Sequence, residues 1–214
     1  MPSPSLVLAT RNAHKVVELT RILEAAAASG PGGRPGGGPA PALVGLSDFP
    51  DIPDVAETGL TFADNALLKA HAVAAATGLP AVADDSGLCV TALNGMPGIL
   101  SARWAGKHGD DSANLDLVLA QTADVPDEAR GASFVCVAAL ALPDGREWAV
   151  TGVLNGSLTR APRGSGGFGY DPIFEPDGSS RTTAEMSPQE KDAISHRGRA
   201  FRALAPVIAD NVKP

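Results

Sequence analysis

SFVCVAALAL (Ser133–Leu142) and EWAVTGVLNGSL (Glu147–Leu158) are two apolar, strand-like runs separated by a turn at Pro143-Asp144-Gly145. Strands joined by so short a turn pair antiparallel, whereas parallel neighbours need a crossover of a dozen residues or more. Elsewhere short strands alternate with helical segments, the pattern of a parallel α/β sheet. Both requirements are met by an α/β protein whose sheet is mixed, and a purely parallel doubly wound sheet is excluded.

The chain of 214 residues sits at the upper end of one ordinary domain, so one compact unit over 1–214 is expected. Its longest apolar run, Phe134 to Leu142, falls far short of the ~20 residues of a membrane-spanning helix. The opening MPSPSLVLAT carries no basic n-region or long h-region, so a soluble, cytoplasmic protein is expected, with no membrane partner. Cys89 and Cys136 stand apart in apolar runs without C-x-x-C or His at metal spacing and read as buried small hydrophobes. A formal net charge of −7 argues against nucleic acid as partner, since that binding rests on many Lys/Arg–phosphate contacts. A small phosphorylated ligand needs only a few local cations.

LVLAT (Leu6–Thr10) reads as a first strand, followed by a helix through Val16, Val17, Leu19, Ile22 and Leu23. Ser29 to Pro41 is a Gly/Pro-rich run that supports neither regular structure and is expected to be a flexible insertion. A second strand is expected near Ala42–Leu46. Thr61 with Asp64 forms a capping-box signal for a helix closed by Gly78. PAVADDSGLCVTALNG predicts a strand, a turn at Asp84-Asp85-Ser86-Gly87, and another strand ending at Asn94-Gly95. A helix is expected over Ala113–Thr122. A final helical stretch has Ser187 as N-cap, Pro188 at its first position and Glu190 completing the box, with a break near Ser195 or Pro206.

GSGGFGYDP (Gly164–Pro172) contains the spacing G-x-G-x-x-G, yet the residues after it, Tyr170-Asp171-Pro172-Ile173-Phe174, call for extended chain. A dinucleotide fingerprint must instead open a helix onto the pyrophosphate, so that reading is rejected. The glycines are expected to allow close approach of backbone to a ligand and to set Phe168 where its ring can stack.

Three groups could carry chemistry. Thr10-Arg11-Asn12-Ala13-His14-Lys15, at a strand end and helix start, offers backbone N–H groups, a hydroxyl, an amide and an ammonium to an anion, or simply a helix cap. Asp84 and Asp85, with Glu57 ahead of another helix start, suit Mg²⁺, or form a solvated Asp turn. One Asp could instead accept a proton from an attacking water. Lys191, His196 and Arg197 gather near a helix junction, as a ligand site or as a solvated face with a capping His. His14, His71 and His108 show no metal spacing and read as surface or packing residues.

Five blocks, LVLATRNAHKVVEL, ETGLTFADNALLKA, AVADDSGLCVTALNGMPGILSARWAG, GGFGYDPIF and EKDAISHRGRAF, together resemble the inosine/xanthosine triphosphate pyrophosphatase family, in order and over nearly the whole chain. The resemblance implies an elongated central mixed sheet flanked by helices, with two lobes and a cleft. It also implies Mg²⁺-dependent hydrolysis of ITP, dITP and XTP to monophosphate and pyrophosphate, and a homodimer. By the same resemblance Thr10, Asn12 and Lys15 hold phosphates, Glu57 and Asp85 place the metal, and Asp85 accepts the proton of the nucleophilic water. Ser86 touches the substrate, Phe168 stacks on the purine, Gly169, Tyr170 and Asp171 shape the nucleoside pocket, and Lys191, His196 and Arg197 read the base. Relatives commonly carry two acidic residues ahead of the T-G, where this chain has Ala56-Glu57.

Overall fold

Three buried side chains, Leu6, Val7 and Leu8, make the first strand, β1 (Ser5–Leu8), a fully covered central strand. It pairs in parallel with β2 (Ala42–Gly45) on one side and with β3 (Ala81–Val90) on the other. The fold is that of a computed structural model describing residues 5–29 and 42–212. The insertion expected at 29–41 lies outside the described residues except for Ser29, the last residue of α1 (Ala13–Ser29). Beyond β3 follow β4 (Gly131–Ala141), β5 (Glu147–Leu158) and β6 (Phe174–Pro176), giving the sheet order β2-β1-β3-β4-β5-β6. The β4–β5 turn closes with Leu142 N donating to Arg146 O at 2.9 Å, and β6 runs antiparallel to β5. The sheet is therefore mixed, as the hairpin required.

The chain forms two compact units, one of Met1–Asp85, Val137–Gly152 and Arg197–Pro214, the other of Ser86–Cys136 and Val153–His196. In the first, α2 (Phe62–Thr77) lays Ala66, Ala70, Val73 and Ala74 against Val7 of β1, Ala81 and Ala83 of β3, and Val137, Ala139 and Ala141 of β4. Alanine on both sides lets helix and sheet approach closely. The Thr61–Asp64 capping box and Gly78 in the left-handed region bound α2 where the sequence predicts. In the second unit, Leu88, Val90, Phe134, Leu154, Leu158, Tyr170, Ile173 and Phe174 form the core, closed by Leu115 and Val118 of α3 (Asp111–Gln121). α3 starts earlier than the expected Ala113 because Asp110 is its cap, accepting from Ala113 N. Among the described residues no helix is long and apolar enough to cross a membrane.

Three local expectations change. Asp84-Asp85-Ser86-Gly87 is no turn but the middle of the ten-residue β3. Gly87 is there for contact: a Cβ would lie 2.3 Å from Gly98 O and 2.4 Å from Ser101 Oγ, while the Ser101 hydroxyl accepts from Leu88 N at 2.9 Å. The segment ending at Asn94-Gly95 is a 3₁₀ turn, Thr91–Leu93, followed by Asn94 at φ 52° and Gly95 at φ 84°. Asp171–Ile173 is likewise 3₁₀, and the chain extends only from Phe174. The C-terminal stretch breaks at Ser195, between α4 (Pro188–Ile194) and α5 (His196–Asn211), and Pro206 is carried inside α5. Cys136 is buried as expected and Cys89 only partly so.

Candidate active site

The turn from β1 into α1 is organised by its own polar residues. Asn12 caps α1, its Oδ1 accepting from Lys15 N at 3.2 Å and its carbonyl from Val16 N at 3.0 Å, while Thr10 Oγ1 accepts from Asn12 N at 3.2 Å. Arg11 turns to the 52–54 loop, pairing with Asp54 at 2.9 Å and donating to Ile52 O. Ala13 and His14 are the first two residues of α1. Lys15 reaches across to β3, its Nζ 2.9 Å from Asp84 Oδ2.

Successive side chains of a strand point to opposite faces. Ala81 and Ala83 face α2, and Asp85 continues that face; Asp84 takes the other. Asp84, 2% exposed, meets Lys15 from α1 and the Arg197 Nε from α5 at 3.3 Å; Arg197 also holds Glu18 Oε2 at 2.8 Å. Burial alone would raise the Asp84 carboxyl, but the charges of Lys15, Arg197 and Lys69 outweigh it and hold it well below the usual carboxylate range. Asp85 meets α2 instead. Its Oδ2 accepts from Asn65 Nδ2 at 3.1 Å, and its Oδ1 lies 3.5 Å from Lys69 Nζ, which also holds Glu57 Oε1 at 2.6 Å. Burial pushes the Asp85 carboxyl up; Lys69 and the Asn65 hydrogen bond oppose this, the nearby Glu57 adds to it, and the net shift is upward. Burial works against the Lys69 ammonium, and the carboxylates of Asp84, Asp85 and Glu57 reverse this and raise its pKa. The two neighbouring carboxyls are thus shifted in opposite directions, one by its cations and the other by burial.

Among the described residues no three His, Cys, Asp or Glu side chains converge into a metal cage. The donor set nevertheless fits Mg²⁺, which usually takes one or two protein carboxylates and completes its shell with water and substrate phosphate. Glu57 and Asp85 are two hard oxygen donors already drawn to one shared cation, the Lys69 ammonium.

In the second unit the glycine-rich stretch is fastened at every step. Phe168 N donates to Asp171 Oδ2 at 2.8 Å, Gly169 N to Asp111 Oδ2 at 2.8 Å, and the Tyr170 hydroxyl to Ser101 O at 2.8 Å. Burial and the Asp111 charge push the Tyr170 phenol up, keeping it a neutral donor. Gly167 has φ 71° and passes so near Asp171 that a Cβ would lie 2.0 Å from Oδ2. Asp171 is buried, accepting from Thr183 Oγ1 at 2.7 Å and pairing with Lys191 Nζ at 2.5 Å. Lys191, only 8% exposed, also sits 5.2 Å above the Phe168 ring, a cation–π contact. His196 opens α5 buried and stacked on Phe134, with ring centroids 4.8 Å apart. Ser86 follows Asp85 in β3 and is half-buried. His71 hydrogen-bonds Glu147 at the surface.

The structure thus brings Lys15, Asp84 and Arg197 together, Glu57 with Asp85, and Phe168, Asp171 and Lys191. Sequence reasoning missed Glu18, Asn65, Lys69, Asp111 and Thr183. Asn65 and Lys69 left a signal: they stand four apart in NALLK, on one face of a helix whose start the capping box already fixed.

Residues 6–207 match the model of the Ham1 family. A protein of Streptomyces coelicolor named dITP/XTP pyrophosphatase is 64% identical over 205 residues, covering 96% of this chain and 97% of its own. The crystal structure of a nucleoside-triphosphatase / dITP/XTP pyrophosphatase from Mycobacterium abscessus is 53% identical, with a TM-score of 0.74 over 94% of this chain and 99% of that one. A HAM1 protein structure from Coxiella burnetii is 41% identical, with a TM-score of 0.82 over 97% and 99% of the two chains. By sequence and by fold, this chain belongs to the Ham1 family.

Proposed function

We propose that this protein hydrolyses non-standard purine nucleoside triphosphates, dITP, XTP and ITP, to the monophosphate and pyrophosphate with Mg²⁺. The observation that carries the reading is the Asp84–Asp85 pair, one carboxyl held ionised by cations and the other raised beside Glu57 and Lys69. The first pairs with Lys15, at the turn where the β1–α1 residues would meet phosphate. The second has the raised basicity wanted of a group that takes a proton from water at its Oδ atoms. Mg²⁺ held by Glu57 and Asp85 would supply positive charge against a triphosphate of roughly four negative charges. Lys15 adds to that charge, and the β1–α1 amides orient the phosphate chain.

Phe168 offers a ring for a purine to stack on, already bound on one side by the Lys191 cation. Lys191 has donors and no acceptor, so it favours the 6-carbonyl of hypoxanthine or xanthine and meets an unmatched amine in adenine. Guanine shares that carbonyl, so discrimination against GTP falls on the 2-position. The relatives named dITP/XTP pyrophosphatase support the substrate class. A homodimer is part of the reading, checked by light scattering on the eluting protein.

A panel of ITP, dITP, XTP, GTP, ATP and dTTP with Mg²⁺, with phosphate and pyrophosphate products resolved, decides it. Pyrophosphate from the first three, and little from the others, is the expected result. Equal rates on GTP and ITP remove the base selectivity, and orthophosphate as first product removes the bond assignment. A nucleotide sensor without chemistry is the rival; it predicts ITP binding with no product, in the wild type as in Asp85→Ala.

A further inference from the structure

Asn65 is completely buried, 0% exposed, in the first turn of α2. Asn is an indifferent helix former, and burying a carboxamide is unfavourable unless both its ends are satisfied. Here they are. Nδ2 donates to Asp85 Oδ2 at 3.1 Å, and Oδ1 accepts from Gly59 N at 2.8 Å, two residues past Glu57. The fit at Gly59 is tight: a Cβ there would lie 2.8 Å from Asn65 Oδ1 and 2.5 Å from Asp64 Cβ. α2 is itself fixed at this end by the Thr61–Asp64 capping box.

We propose that Asn65 is a positioning residue for the Glu57/Asp85 pair, its carboxamide joining the segment that carries Glu57 to the strand that carries Asp85. With Oδ2 held by Asn65, Oδ1 is the oxygen turned toward Lys69, the ammonium that also holds Glu57. The amide thereby sets both which oxygen of Asp85 meets a cation and how far Glu57 stands from it. Only a side chain with a donor at one end and an acceptor at the other can do this, and Asp or Leu in the same space cannot. The assignment rests on the metal-dependent hydrolysis proposed above.

The test uses the full chain and Mn²⁺ as probe, with binding followed by calorimetry and by electron paramagnetic resonance without nucleotide. Asn65→Leu removes both hydrogen bonds with a side chain of the same branched shape, and Gly59→Ala disturbs the same joint from the far side while leaving the amide in place. Both variants are expected to bind Mn²⁺ at least tenfold more weakly, the usual scale for losing a partner that orients a metal ligand. Their kcat for dITP should fall by a similar factor, with KM within about threefold and the ITP-to-GTP ratio unchanged. A purely structural role predicts lower melting temperatures with wild-type Mn²⁺ affinity and kcat in the folded protein, and that result overturns the proposal. If Asn65→Leu does not fold, Gly59→Ala decides by the same readouts. A wild type that binds Mn²⁺ but releases no pyrophosphate refutes the hydrolysis alone, leaving the Mn²⁺ comparison to judge Asn65. A wild type that binds no Mn²⁺ overturns both.

Discussion

Asp84 and Asp85 are adjacent, both buried and chemically identical, yet replacing each by Asn should move stability in opposite directions. Asp84→Asn leaves Lys15 and Arg197 facing a neutral amide. Removing one partner of a buried ion pair costs about 3–5 kcal/mol. The low end applies here, because the Lys15 side chain, 16% exposed, can turn to water and Arg197 keeps Glu18 at 2.8 Å. A loss of about 3 kcal/mol in a chain of this length lowers the melting temperature by roughly 6–12 °C. Asp85→Asn removes a carboxylate that burial and Glu57 already disfavour, and Lys69 retains Glu57 at 2.6 Å. Relieving such a site stabilises by about 1 kcal/mol. The two variants should therefore stand about 4 kcal/mol apart by chemical denaturation at pH 7.

The pH dependence fixes the cause. The folded Asp84 carboxyl lies below its unfolded value, so its contribution is complete above the unfolded pKa of about 3.9 and is lost as pH falls through the folded value. The gap between wild type and Asp84→Asn should be constant from pH 8 to about pH 5 and close below about pH 4. Asp85 has the opposite sign. Its folded value is raised, so the wild type loses stability as pH rises from the unfolded value through the folded one, and Asp85→Asn gains on it over that interval. Equal melting temperatures for the two variants at neutral pH, or a gap for Asp84→Asn that persists unchanged into acid, would refute the assignment of roles.

Three further outcomes follow from single contacts. Lys191→Met should lower kcat/KM for ITP by about 10- to 100-fold, the worth of one charged hydrogen bond, and shrink the ITP-to-ATP preference in the same panel. Asp111→Asn, which weakens the acceptor for Gly169 N at the start of α3, should raise KM for ITP by about two- to fivefold while kcat stays within twofold, since the bond is exposed and carries only about 0.5–1 kcal/mol. Gly87→Ala should destabilise the protein by about 1–3 kcal/mol in urea unfolding, because its Cβ meets Gly98 O and Ser101 Oγ inside a packed strand.

The mixed sheet was legible because a short turn between long strands admits one geometry, and the helix bounded by Thr61 and Gly78 was legible because both of its caps are chemical signals. Asp84-Asp85-Ser86-Gly87 was misread for a definite reason. Asp, Ser and Gly are turn formers through local hydrogen bonds and free φ, and that preference is weak against long-range partners. Here Lys15, Arg197, Asn65 and Lys69 satisfy the carboxylates, and the Gly98–Arg103 turn fills the space over Gly87. None of these is near in sequence; Arg197 stands 113 residues from Asp84. The same distance hid Asp111, whose acceptor role toward Gly169 spans 58 residues. The glycine run was readable as a non-dinucleotide turn from the proline after it, but its dependence on Asp171 was not.

The correction from turn to strand also changes what the two aspartates can do. On an exposed turn both carboxyls would share water and titrate nearly alike, leaving no reason for two. On a covered strand the two-residue period sends them to different helices, so each carboxyl has its own hydrogen-bond partners. Asp84 receives two cations from α1 and α5; Asp85 receives an amide and an ammonium already shared with Glu57. The charges of Lys69 and Lys15 act on both, each opposing the effect of burial on the two carboxyls. Under the proposed hydrolysis, a carboxyl that accepts a proton from water cannot also be the permanent counter-charge of Lys15, because each proton taken up would release that lysine. On that proposal, alternation along β3 separates the two duties at a distance of one residue.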